Sequence, residues 1–368
     1  LEAIFEGGMK AVLEFPTVRG IQAGREYYIS MCPLGLVPKI FVFNETGLSP
    51  EQRSQRQLNR GRIPEMTRYL IENKEDYVFS AITASIDGEA EFLPNPNDDL
   101  TGTLRVQMKH AKIIINDGQH RRAAIEAAIE QAPELADETI AVVLFFDRGL
   151  ERCQQMFADL NRYAIRPSRS LSVLYDHRDG LAIVSKLLMT RLPSLAELVE
   201  FERTSLSPRS KPLFTLSAFY TATEALLSDL VLDDAAGSDI ATDFWGVVAA
   251  KMPHWDDVRC GAMTSGALRD TYINSHSVAL HALGRVGNAM LRSAKTMPFE
   301  TALAGLRSMD WRRAAEIWDG RAVVAGKMSK THQSVVLTAN VIKQKLGLTL
   351  SADEQSLEDA FRRHAHAA

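Results

Sequence analysis

Apolar and polar positions alternate through residues 10–48, with a high share of β-branched side chains. The segments Ala11-Val-Leu13, Tyr27-Tyr-Ile-Ser-Met31 and Lys39-Ile-Phe-Val-Phe43 predict two or three strands, with turns at Gly20, Gly24 and Pro33-Leu-Gly35. Pro64 suits a first helical turn, and Met66, Tyr69 and Leu70 give an apolar stripe, predicting a helix over 64–73. Tyr77–Ile86 reads as a strand. The Asp, Gly, Pro and Asn clusters of 87–104 read as a surface loop. Arg105–Ile115 is again β-branched, Arg121–Gln131 consists of strong helix formers, and Thr139–Asp147 has the apolar run of a buried strand. A helix follows over Gly149–Asn161. From Leu213 onward the period is helical, over Phe214–Leu232, Ile240–Lys251, His276–Lys295 and Lys327–Leu346. Thr331–Gly347 followed by Ser351–Arg363 has helix-turn-helix spacing, but consecutive packed helices share that spacing. The pattern predicts an α+β protein: a mixed sheet with helices over residues 9–205 and an all-helical region over 206–368 that packs as a bundle and mediates self-association. Residues 1–8, Leu-Glu-Ala-Ile-Phe-Glu-Gly-Gly, differ in character and read as an expression-tag remnant before Met9.

Composition narrows the picture. The chain has 368 residues, 46% hydrophobic and 24% charged, and a net charge of −4, so a nucleic-acid surface has to be a local patch rather than a global field. No apolar run approaches the roughly 20 residues that span a bilayer. Cys32, Cys153 and Cys260 show neither a CxxC pair nor zinc-ligand spacing, which fits a reducing cytoplasm and gives no metal set. Cys32, just before a proline, reads as a buried small hydrophobe; the alternative is a functional thiol beside the site.

The chemistry concentrates where the Arg105–Ile115 strand meets the Arg121–Gln131 helix. Asp117, Gly118, Gln119, His120, Arg121 and Arg122 occupy that junction. A helix N-terminus presents N–H groups and a positive dipole end, so with His120 and two arginines it forms a phosphate or nucleotide site. Asp117 caps the helix, orients Arg121 or holds a metal ion; His120 is a structural hydrogen-bonding residue or a phosphate contact. Basic segments lie elsewhere. Arg53, Arg56 and Arg60 share one helical face, with Arg62 close behind, and arginine forks suit phosphates and base edges. Arg162, Arg166, Arg169, His177 and Arg178 form a second concentration, with Ser168 a candidate helix cap after Pro167. Arg203–Lys211, carrying Arg209 and Lys211, is a domain junction or a phosphate-binding loop. There is no Walker loop, nucleophile motif or telling carboxylate pair, which points away from an enzyme.

The string Asp117-Gly118-Gln119-His120-Arg121, followed by Ala124, resembles the signature of the DGQHR-domain family, divergent relatives of the ParB/sulfiredoxin fold. The stretches Glu14–Tyr28, Tyr77–Asp87 and Phe157–Asp176 are similar to the DndB family of bacterial DNA phosphorothioation (sulfur modification) systems. The resemblance is strongest over the first half of the chain and weaker beyond Phe214. It implies a ParB/sulfiredoxin-like N-terminal domain in a cytoplasmic, DNA-binding repressor of a phosphorothioation gene cluster. Its partners would be promoter duplex DNA and other sulfur-modification proteins. The same resemblance implies a rival: a nucleoside triphosphate with magnesium held at Asp117–Arg121, with Asn161 beside the motif, in a nucleotide hydrolase or nuclease. Convergence of Asp147 and Asn161 on Asp117 would favour the rival. A scaffold for the modification enzymes, with the motif only stabilising the fold, is the third reading.

Overall fold

The computed structural model describes residues 5–6, 9–10, 12–42, 58–146, 155–156, 158–160, 167–207, 209–293 and 297–367. The chain divides into two compact units, Leu1–Ile165 and Arg166–Ala368.

The first unit is built on β1 (Val12–Gln22), β2 (Arg25–Pro33), α1 (Val37–Ile40), β3 (Phe41–Val42), α2 (Ile63–Glu72), β4 (Ile82–Asn95), β5 (Asp98–Asp117), α3 (Gln119–Gln131) and β6 (Thr139–Phe146). Among the described residues, β1, β2, β6, β4 and β5 pair in that order, and β5 returns to β1, closing a five-stranded barrel. All these pairings are antiparallel except β6 with β4, and β3 adds to β5 in parallel. Side chains alternate across a strand, so one set from each strand fills the core: Leu13 and Phe15, Tyr28 and Cys32, Leu104 and Val106, Val142 and Leu144. Leu70 of α2, Ile125 and Ala128 of α3, and Val37 and Ile40 of α1 join the same core.

The sheet is mixed, as expected, but its closure into a barrel is not part of that expectation, and several local readings are corrected. Gly20 makes no turn: it lies within β1 opposite Tyr27, whose ring atoms would sit 2.5 Å from an added Cβ. The actual turn is Ala23–Gly24, both with positive φ. Residues 87–104 are not a loop but the arms of a long β4–β5 hairpin. Their polar residues face outward while Leu104 and Val106 are buried. Gly88 marks a bulge there (φ 129°), where a Cβ would lie 2.1 Å from the His110 carbonyl oxygen.

The second unit is largely helical. Its main elements are α4 (Arg169–Tyr175), α5 (Gly180–Arg191), α6 (Pro193–Ala196), α7 (Leu216–Leu227), α8 (Asp234–Lys251), α9 (Trp255–Arg259), α10 (Ser265–Thr271), α11 (Ser277–Leu291), α12 (Phe299–Ala302), α13 (His332–Lys345) and α14 (Ala352–Ala367). It is not all-helical: β7 (Val199–Glu200) pairs in parallel with β8 (Phe214–Thr215), and β9 (Val323–Val324) with β10 (Lys327–Met328) in a hairpin. The unit begins earlier than residue 206. Val173, Ala182, Val184, Leu188 and Leu195, on α4 to α6, belong to the second core. Ser168 caps α4 as expected, its hydroxyl accepting from the Leu171 N–H. The helix-turn-helix spacing corresponds to α13 and α14, but α13 is buried nearly all round, from Ser334 to Lys343, and works as a core helix.

Candidate functional site

The site at the end of β5 is assembled by four pieces of chain. Gly118 stands at the start of α3 with φ 115°, a conformation that favours glycine, and Arg122 N–H donates to its carbonyl. An added Cβ would lie 3.0 Å from Ile82 Cγ1 and 3.2 Å from Arg121 Nη2, so the glycine also clears the path of Arg121. Asp117 is not the cap. Its Oδ2 accepts from Arg121 Nη2 at 2.7 Å, an arrangement that orients Arg121.

Arg121 is clamped further by Ser80 Oγ at 2.5 Å and the Ala81 carbonyl at 3.1 Å. Residues 77–81 can reach it because Phe79 packs between Tyr69 and Tyr77, and the Val78 N–H donates to Tyr69 Oη. Arg121 Nε is buried with no hydrogen-bond partner. Arg122 serves structure: it donates to the Phe41 and Pro38 carbonyls and pairs with Glu126. Gln119 is buried too, its amide donating to the Ile115 and Asn116 carbonyls.

His120 holds the fourth piece. Its Nε2 accepts from the Asn59 N–H at 3.0 Å, so that nitrogen is the unprotonated one. Asn59 then caps the short 3-10 turn Arg60–Arg62 by accepting from the Gly61 N–H at 3.1 Å. The turn leads directly into α2, and both Arg60 and Arg62 are exposed. The junction therefore carries an exposed pair of arginines docked on the first turn of α3. Asn59, Ser80 and the Ala81 carbonyl escape a reading of the sequence; the one available signal was an Asn just before Arg-Gly-Arg, in a helix-capping position.

The remaining candidates fall in different places. Arg53, Arg56, Asp147, Asn161, Arg162 and Arg166 lie outside the described residues. Among the described residues no group of three or more His, Cys, Asp or Glu is placed to hold a metal ion. Cys32 is fully buried inside the barrel, and burial pushes its thiol up to about 12. In the second unit, Arg169 opens α4 with its guanidinium 5.7 Å above the Tyr220 ring. Arg209 and Lys211 are exposed and, with Arg259, line a groove of about 630 Å3. Their loop is not a linker: Arg269 fastens it by donating to the carbonyls of Ser207, Ser210 and Pro212. No helix among the described residues is long and apolar enough to cross a membrane.

Neither a curated protein nor a solved structure matches the chain. A family model described as DndB, DNA-sulfur modification-associated, matches residues 15–349, and the chain belongs to that family of DNA sulfur-modification proteins.

Proposed function

We propose that the protein is a DNA-binding regulator of its sulfur-modification gene cluster, a repressor that occupies the promoter. In this reading the motif works mainly as a platform and the basic turn beside it makes the phosphate contacts. The observation that carries it is the hydrogen bond from Asn59 to His120, which seats the exposed Arg60 and Arg62 at the N-terminal end of α3. There the helix dipole and both guanidinium groups favour the same anion. Arg121 and Arg122 brace the platform through Asp117, Ser80 and backbone carbonyls. Contacts of this kind position a protein on a duplex without reading sequence. Arg169, Arg209 and Lys211 are further phosphate contacts in this reading.

One observation favours a second reading. Arg121 Nε, buried and unpartnered, lies where an added Gly118 Cβ would be 3.4 Å away, beside the first turn of the helix. A nucleotide phosphate would supply the missing acceptor, in keeping with the resemblance of this turn to ParB/sulfiredoxin relatives. Asp117 would then help to place a divalent ion.

Binding of the protein to its own promoter duplex and to a scrambled duplex, with and without ATP, CTP or GTP plus magnesium, tests both. A promoter preference at physiological salt that is indifferent to nucleotide supports the repressor. Equal binding of the two duplexes counts against it. Binding switched by one nucleotide, with the switch lost in Arg121→Ala, supports the second reading.

A further inference from the structure

The last helix, α14, is docked differently from its neighbours. Its inward stripe is Glu354, Leu357, Glu358 and Phe361, spaced three and four apart, so half of the positions that face the bundle are carboxylates. Both carboxylates are buried, while Leu357 and Phe361 are only partly so. Among its described residues α14 gives none to the second apolar core, whereas α13 gives Val335, Ala339 and Ile342 and α11 gives Leu280 and Leu283.

Polar contacts hold α14 instead. Glu354 accepts from Lys343 Nζ at 2.7 and 2.9 Å, and Glu358 accepts from the two Nη atoms of Arg321 at 2.6 and 2.7 Å. Asn340 Nδ2 donates to the Glu354 carbonyl at 3.1 Å. The cost of desolvating buried charges largely offsets their attraction, so such pairs fix a geometry while adding little net stability; apolar burial is what ties an element to its core. Detaching α14 returns these charges to water and leaves the apolar core whole. The neighbouring chain suits such a movement. Gly347 turns with φ 73° out of α13, nothing lies within 4 Å of a Cβ added there, and residues 348–351 have no regular structure. The helix also carries its own cap: Ser351 Oγ accepts from the Glu354 N–H at 3.3 Å, and Glu354 Oε2 accepts from the Ser351 N–H at 3.1 Å. Leu348, Thr349, Leu350, Ser351 and Glu354 form one wall of a cavity of about 720 Å3, whose other walls include α7 and α11.

We propose that residues 348–367 form a lid over this cavity, which opens from Gly347 while the rest of the second unit stays folded. The proposal is independent of the DNA reading, because every residue it uses lies in the second unit and none belongs to the DGQHR junction.

The test is native-state hydrogen exchange of the full chain, read peptide by peptide without urea and at sub-denaturing urea. A detached helix of this length is marginal in water, so its amides exchange whenever the lid is open. Amides from Gln355 to Phe361 should exchange together, at least about tenfold faster than those from Val335 to Ile342 on α13. Urea should barely change the lid rate but speed α13, because a local opening exposes little surface and global unfolding exposes much. Glu354→Gln should speed the lid by about tenfold again, through the weakened bond to Lys343, and leave α11 and α13 unchanged. Four results overturn the proposal: lid amides that exchange at the α13 rate, lid exchange that climbs with urea in step with α13, fast exchange confined to the last turn of α14, or a Glu354→Gln variant that speeds α11, α13 and α14 alike. The first three are read on the unaltered chain and decide the matter if the variant fails to fold.

Discussion

The DGQHR junction and the α13–α14 region use the same residue types to opposite ends. At the junction, His120 and Arg121 hold surface segments in place: one accepts from Asn59, the other donates to Ser80 and Ala81. Arg60 and Arg62 are left facing solvent. In the second unit the charges turn inward. Arg321 grips Glu358 with two bonds of 2.6 and 2.7 Å, and Glu358 is completely buried. Asn340 and Arg362 add to the same carboxylate, and the Arg321 guanidinium stacks 4.2 Å above Phe361. Position, rather than composition, thus separates an exposed basic turn from a buried structural staple. The turn places its arginines at the surface, whereas the core charges are buried against their partners.

The largest expected effect breaks the buried side of this comparison. Glu358→Ala leaves Arg321 buried without its partner and should cost about 3–5 kcal/mol, read as a lower urea midpoint. Acid does the same gradually. Burial pushes the Glu354 and Glu358 carboxyls up, but hydrogen bonds from Lys343 and Arg321 outweigh it, holding both below the usual carboxylate range. A depressed folded-state value means the contribution is complete above the ordinary carboxylate pKa. It should fade as pH falls below that value and through the folded one, with a shallower acid limb in Glu358→Gln.

Gly118→Ala should come next, at about 1–3 kcal/mol, because alanine at φ 115° is strained and its methyl would press on Ile82 and Arg121. His120→Ala is smaller, about 0.5–1.5 kcal/mol for a lost hydrogen bond, but it frees the Asn59 turn and should lower DNA affinity as well. The smallest effect is chemical. A thiol reagent at mild alkaline pH should label exposed Cys260 on the folded chain and reach Cys32 only after unfolding, and rapid native-state labelling of Cys32 would show the barrel core to be wrong.

Much of this was legible beforehand, and the exceptions share a cause. The helix over Gln119–Gln131, the buried strand ending at Phe146 and the Ser168 cap follow from local pattern alone. Barrel closure does not, because β1 meets β5 through partners such as Leu13 and Val106, far apart in sequence. The β4–β5 arms were hidden by their outward-facing Asp, Asn and Pro residues, which resemble loop chemistry when the buried alternate positions are not known. At the site, the phosphate-friendly helix end could be read from Gly118 and its neighbours. The use of each side chain could not, since the partners of His120, Arg121 and Arg122 come from Asn59, Ser80 and Phe41, all distant along the chain.

The central claim is that the turn seated on His120 is a phosphate-binding surface. It is tested most directly by the salt dependence of duplex binding for the wild type and the double variant Arg60→Ala/Arg62→Ala. Two lost phosphate contacts should reduce the slope of log affinity against log salt by about 1.8. Thermal stability should hold within about 0.5 kcal/mol, as for exposed positions generally. An unchanged slope and affinity in a folded double variant would contradict the claim and move the DNA surface elsewhere on the molecule.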